Sequence, residues 1–148
     1  MHTSQVRAPH NLEETADRIH GAAIRLLRFV RKEDAAAGLP PAQLSALSVL
    51  VFAGPQILSA LAAAEQVKLP TMSQLVAALE RNGLVARTPL DGRSVRISVT
   101  AKGKRLLEAG RQRRLSRLTA ALSRLPPKNL GVLRQAAEII VAATESAP

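Results

Sequence analysis

The chain has no cysteine, no tryptophan and no tyrosine, and only two phenylalanines, Phe29 and Phe52, in 148 residues. Without cysteine there is no disulfide, no thiolate zinc site and no thiol to sense peroxide. With so few aromatics the chain lacks the stacking platforms that RNA and single-strand modules lay under successive bases, which duplex binding does not need. Histidine is scarce too: His2, His10 and His20 all lie near the start. The first two fall in an expected mobile arm, so neither a metal site nor a histidine-activated nucleophile is expected. Glycine-rich phosphate loops are missing, and Gly103, Gly110 and Gly131 stand alone. No apolar run approaches a membrane span, and the opening MHTSQVRAPHNLEE holds no hydrophobic stretch that could serve as a secretion signal. The expectation is a cytoplasmic, non-enzymatic protein with no cofactor, no metal and no membrane partner. Its length suits one domain, with a core of leucine and alanine.

What the chain does have is positive charge, unevenly placed. It is formally +10, from 21 Lys and Arg against 11 Asp and Glu. Residues 66–117 hold 12 basic and 3 acidic residues, a local charge of +9, while the remainder holds 9 and 8. Such a patch is the electrostatic footprint of a polyanionic partner.

The patch coincides with a recognisable order of local signals. Leu58, Leu61, Ala62 and Glu65 suit one short helix, and Val67 sits in a tight connection before Pro70. A proline at the first helical position has no donor to lose, so Pro70 is expected to start a second helix. Met72, Leu75, Val76 and Leu79 recur at helical spacing on its buried side, and Thr71, Ser73, Gln74, Ala77, Ala78 and Arg81 fall mostly on the other. Gly83, after Asn82, supplies the left-handed residue that ends a helix. Val95, Ile97 and Val99 then alternate with Arg96 and Ser98 as a half-buried strand does, and Val85 and Arg87 begin its antiparallel partner. Between them lies Pro89-Leu90-Asp91-Gly92-Arg93-Ser94. Pro89 bars a ladder hydrogen bond and Asp91-Gly92 tolerates positive φ, so this loop projects, with Arg93 at its tip. Asp91 either shapes the turn or pairs with an arginine. Two short helices followed by a hairpin make a winged helix-turn-helix, which points to duplex DNA.

The flanks are helical. Leu12, Ala16, Ile19, Ala23, Leu26 and Val30 form an apolar stripe over an expected helix from Leu12 to Ala37, ended by Gly38. Pro40 and Pro41 open the next, with Leu44, Leu47, Leu50 and Val51 apolar, and Gly54-Pro55 closes it. Thr100 suits an N-cap for a basic helix running to about Leu125, in which Leu115, Leu118, Leu122 and Leu125 form one seam. Pro126-Pro127 breaks it before a last helix that carries Leu130, Leu133, Ala137, Ile140 and Val141. A winged motif of this size cannot cover such stripes, so the terminal helices call for a partner chain.

The strings PTMSQLVAALERNGLVAR, LDGRSVRISVT and AKGKRLL resemble the DNA-binding core of the MarR-type transcriptional regulators, with the wing signature present as Asp91, Gly92, Arg93 and Ser94. The resemblance implies a mainly α fold with a small β-hairpin wing, in a six-helix, dimer-forming architecture. It implies a single domain over 1–148, in which helical dimerisation elements at 12–37 and 101–146 flank a winged helix-turn-helix lobe at 40–100. A homodimer would then place two recognition helices in successive major grooves of a pseudo-palindromic operator, most simply as a repressor. Lys68, Pro70, Thr71, Ser73, Gln74 and Arg81 would meet DNA from the helix, and Arg87, Asp91, Gly92, Arg93, Ser94 and Arg96 from the wing. Arg87 and Arg96, with Lys102, Lys104 and Arg105, are the expected phosphate contacts, while Arg111, Arg113, Arg114 and Arg117 lie farther along the helix. Many relatives carry an arginine where this chain has Gln74, whose amide can pair with adenine. The resemblance also implies a small aromatic or amphipathic effector, with His20, Ile24, Leu27 and Phe52 as candidate lining residues and plain core residues as the competing assignment. Two other functions stay open. A nucleoid-type protein would bind any duplex, and a protein-binding adaptor would want an apolar second helix where this one shows Thr71, Ser73 and Gln74.

Overall fold

The computed structural model describes residues 9–146. It divides into two compact units, one ending at Arg114 and the other beginning at Leu115, with the boundary inside a long helix.

In the first unit, helix α1 (Pro9–Arg31) opens the chain. It stops six residues before the expected end at Ala37. A separate 3-10 turn over Asp34–Ala37 follows, and it is this turn, not α1, that Gly38 caps at φ 71°. The run Asp34-Ala35-Ala36-Ala37 has good helical propensity but no apolar stripe to hold it on the α1 axis, so propensity alone misplaced the boundary. Because α1 starts at Pro9, His10 belongs to the helix and not to a mobile arm, whereas His2 lies outside the described residues.

Helix α2 (Pro41–Ala53) begins on Pro41 and ends at Gly54, φ 79°. A two-residue strand, β1 (Gln56–Ile57), leads directly into α3 (Leu58–Ala64). Helix α4 (Leu69–Arg81) follows, with Pro70 in its first turn and Gly83 at φ 70° just beyond its end. Strands β2 (Val85–Pro89) and β3 (Val95–Val99) form the hairpin, pairing Val85 with Val99, Arg87 with Ile97 and Pro89 with Val95. The sheet has a third strand that the sequence did not announce. β1 pairs antiparallel with β3 through Gln56–Ile97 and Ile57–Arg96, giving the order β1-β3-β2.

Helices α2, α3 and α4 and the sheet enclose one core, in which Leu47, Leu50, Leu61, Met72, Val76, Leu79, Leu84 and Ile97 are fully buried. This is the leucine-rich interior that the composition implies, and it holds α4 by one face only.

Helix α5 (Ala101–Leu122) starts on the side chain of Thr100, whose hydroxyl accepts from the Gly103 N–H at 3.2 Å, the geometry of an N-cap. It ends three residues short of Leu125. In the second unit, α6 (Pro127–Glu145) starts on Pro127 and buries none of its residues. Leu130, Leu133, Ile140 and Val141 on α6 are exposed, as are Leu12, Ile19 and Leu26 on α1, where Leu12 is 72% exposed. Among the described residues no single helix is long and apolar enough to cross a membrane.

Candidate nucleic-acid interface

The turn between α3 and α4 is set by backbone. Gln66 takes φ 55°, and the Gln66 and Val67 N–H groups donate to Ala63 O and Ala62 O at 3.1 and 3.0 Å. That reversal swings the chain so that α4 lies with Met72, Val76 and Leu79 inward. Thr71, Gln74 and Arg81 are exposed, Ser73 is half-buried, and Lys68 and Pro70 are exposed at the helix start. The helix thus shows a mainly polar surface to solvent, with exposed Leu69 at its first position the apolar exception.

The wing is closed by the Leu90 N–H, which donates to Ser94 O at 2.9 Å, with Gly92 at φ 75° in the tip. Asp91, Gly92, Arg93, Ser94 and Arg96 are all exposed. Of the two roles open to Asp91, pairing with an arginine is not seen among the described residues.

Two of the expected phosphate contacts are held by the protein itself. Arg87 Nε donates to Glu80 Oε2 at 2.8 Å, tying β2 to the last turn of α4. Lys102 Nζ donates to Asn82 O at 2.8 Å, so a cation sits on the C-terminal carbonyls of α4, where the helix dipole favours it. Thr100 Oγ1 donates to Gly83 O at 2.6 Å and the Thr100 N–H to Leu84 O at 3.0 Å. Gly103 completes this joint: a Cβ there would lie 2.4 Å from Leu84 O and 2.7 Å from Val99 Cγ2. The sequence showed Gly103 as an isolated glycine, and its one signal was its place in the first turn of a helix, three residues after the N-cap Thr100. Arg93, Arg96, Lys104 and Arg105 make no ion pair among the described residues. Farther along α5, Arg114 Nη1 meets Asp34 Oδ1 at 2.7 Å.

The candidate effector residues are not gathered by this chain into an enclosed site. His20, Ile24 and Leu27 lie on α1 and Phe52 on α2, all exposed, Phe52 by 89%. They are therefore not core residues of the single chain either.

The winged lobe has counterparts. The sequence model of the MarR family matches residues 39–95. An uncharacterised HTH-type transcriptional regulator of Mycobacterium bovis is 35% identical over 129 residues, covering 86% of this chain and 90% of that protein. The chain belongs to the MarR family. Its fold is similar to that of a transcriptional regulator from Thermotoga maritima, with a TM-score of 0.80 and 24% identity over 90% of this chain and 95% of that one. A second solved structure, NadR in complex with 4-hydroxyphenylacetate, aligns with a TM-score of 0.59 and 22% identity over 95% and 97% of the two chains. Membership makes the chain a winged-helix, DNA-binding transcriptional regulator, the class to which its curated relatives are assigned.

Proposed function

We propose that this MarR protein acts in the cytoplasm as a homodimer that represses transcription by occupying a pseudo-palindromic operator. The observation that carries the reading is the pairing of a polar, outward α4 with an exposed cationic wing on a single lobe. Thr71, Ser73, Gln74 and Arg81 meet base edges and phosphates in the major groove, with Lys68 and Pro70 at the helix start beside them. Arg93 enters the adjoining minor groove at the tip shaped by Asp91, Gly92 and Ser94, and Arg96 meets the flanking backbone. The apolar residues exposed on α1, α5 and α6 support dimerisation through 12–37 and 101–146, since solvent is a poor surrounding for Leu12, Val132 and Ile139. A two-fold dimer puts its two α4 helices about 34 Å apart along the duplex.

In vitro selection from random duplexes tests this reading. The expected product is an enriched palindrome of about 16 to 20 base pairs. Its affinity should fall about a thousandfold or more between 50 and 200 mM salt if roughly six to ten phosphates are neutralised. Binding without enrichment makes the protein a nonspecific duplex binder, and no binding at low salt makes the winged lobe a protein-binding module. Either outcome removes the proposal.

Release by a small aromatic or amphipathic compound is part of the same reading, supported by the 4-hydroxyphenylacetate complex of NadR. His20, Ile24, Leu27 and Phe52 would line that site once a second subunit covers them. Titrating phenolic acids into the operator complex and following its dissociation tests it.

A further inference from the structure

Glu80 is the one anionic side chain on α4. Residues seven apart share a stripe on a helix, so Glu80 lies on the same flank as Ser73, at the edge of the surface assigned above to DNA. A free carboxylate there would repel phosphates. It is instead held by Arg87 at 2.8 Å, from the middle residue of β2. Beyond Arg87, β2 reaches the rest of the lobe through β3, which β1 pairs on its other side and whose Val95 packs against the core. Thr88 and Pro89 pair with Arg96 and Val95, but Pro89 has no N–H to give, and Leu90–Ser94 closes the loop with one hydrogen bond. Among the described residues the Glu80–Arg87 pair is the charged link between α4 and β2, standing beside the packing of buried Val85 on the core face of α4.

We propose that Glu80 and Arg87 form a strut that sets the angle of the wing on α4, so that Arg87 is a positioning residue for DNA binding and not a phosphate contact. This rests on the DNA-binding reading, and the two make opposite demands on Glu80. If only charge mattered, neutralising Glu80 would tighten binding to any duplex. If the strut matters, the same change loosens the wing and costs selectivity.

The test uses the full chain and four proteins: wild type, Glu80→Gln, Arg87→Gln, and the exchanged pair Glu80→Arg with Arg87→Glu. Amide hydrogen exchange over residues 85–99 of the free protein reads the wing without DNA. Binding to the selected operator and to an unselected duplex of equal length reads the function. Expected are wing exchange rates about two- to fivefold higher in both single variants, the scale of a partly exposed ion pair. Their operator-to-unselected ratio falls, and the exchanged pair recovers both readouts. Unchanged wing exchange in the single variants overturns the proposal. So does tighter operator binding by Glu80→Gln, or a salt slope that drops by about 1 per subunit in Arg87→Gln while the wing stays protected. Should wild type bind no duplex, the regulatory reading falls and the exchange data still decide the strut.

Discussion

Replacing Gly103 by alanine sets two opposing effects against each other in the first turn of α5. Alanine improves helix propensity over glycine by about 1 kcal/mol. Against this, the new Cβ would stand 2.4 Å from Leu84 O and 2.7 Å from Val99 Cγ2, and the first of these is backbone that cannot swing aside. Overpacking of this kind costs about 1–3 kcal/mol. Leu84 O also accepts the Thr100 N–H at 3.0 Å, and Leu84 is buried. Moving that carbonyl away therefore weakens a hydrogen bond whose loss costs about 1–3 kcal/mol. The clash wins, and Gly103→Ala should destabilise by about 2–4 kcal/mol. In urea at one fixed protein concentration the midpoint should fall by about 1–2 M with the slope unchanged. Gly131 on α6 is the contrast, because a Cβ there meets nothing within 4 Å. Gly131→Ala should be neutral or stabilising by up to about 1 kcal/mol. If Gly103→Ala is as stable as wild type, or both variants shift alike, α5 does not pack on the β2–β3 base as described.

Thr100→Ala removes both the N-cap of α5 and the donor to Gly83 O, and should lower stability by about 1–2 kcal/mol in the same urea assay. Gln66 holds φ 55° with a full side chain, so Gln66→Gly should raise stability by about 0.5–1 kcal/mol, seen as a melting temperature higher by a few degrees. Arg93→Ala should weaken binding to the selected operator and lower the salt slope by about 1 per subunit, and an unchanged slope would remove Arg93 from the groove. With Arg87 and Lys102 committed internally, Arg87→Gln and Lys102→Gln should each leave the salt slope of operator binding unchanged, and a drop of about 1 per subunit in either variant would return that residue to the phosphates.

The winged lobe was legible because each of its elements is set by local chemistry. Pro70 and Gly83 bracket α4, Asp91-Gly92 makes the tip, and alternation in Val95–Val99 gives the strand. Three features were not legible, each for a physical reason. β1 is two residues long and exists through its pairing with Ile97 and Arg96, which no local pattern encodes. The stop at Arg31 depends on what the following turn packs against, while the alanines of 35–37 read as helix. The partners of Arg87 and Lys102 lie 7 and 20 residues away. A basic residue destined for a carbonyl or a carboxylate looks in sequence like one destined for phosphate.

The distribution of those partners explains how α4 can be both rigid and available. Side chains with internal partners gather at its C-terminal end: Glu80 with Arg87, Lys102 on Asn82 O, and Thr100 on Gly83 O. The side chains of Thr71, Ser73 and Gln74 in its opening turns, and of Arg93 at the wing tip, have no hydrogen bond or ion pair among the described residues. An anchored end fixes direction, because α4 cannot turn without breaking contacts to both β2 and the start of α5. The uncommitted end keeps its donors and acceptors for a partner, with no intramolecular bond to break before binding. On the proposed DNA-binding reading, Glu80→Gln acts at the anchored end, away from any base, whereas changes at Gln74 should alter which sequence is selected and leave the frame intact.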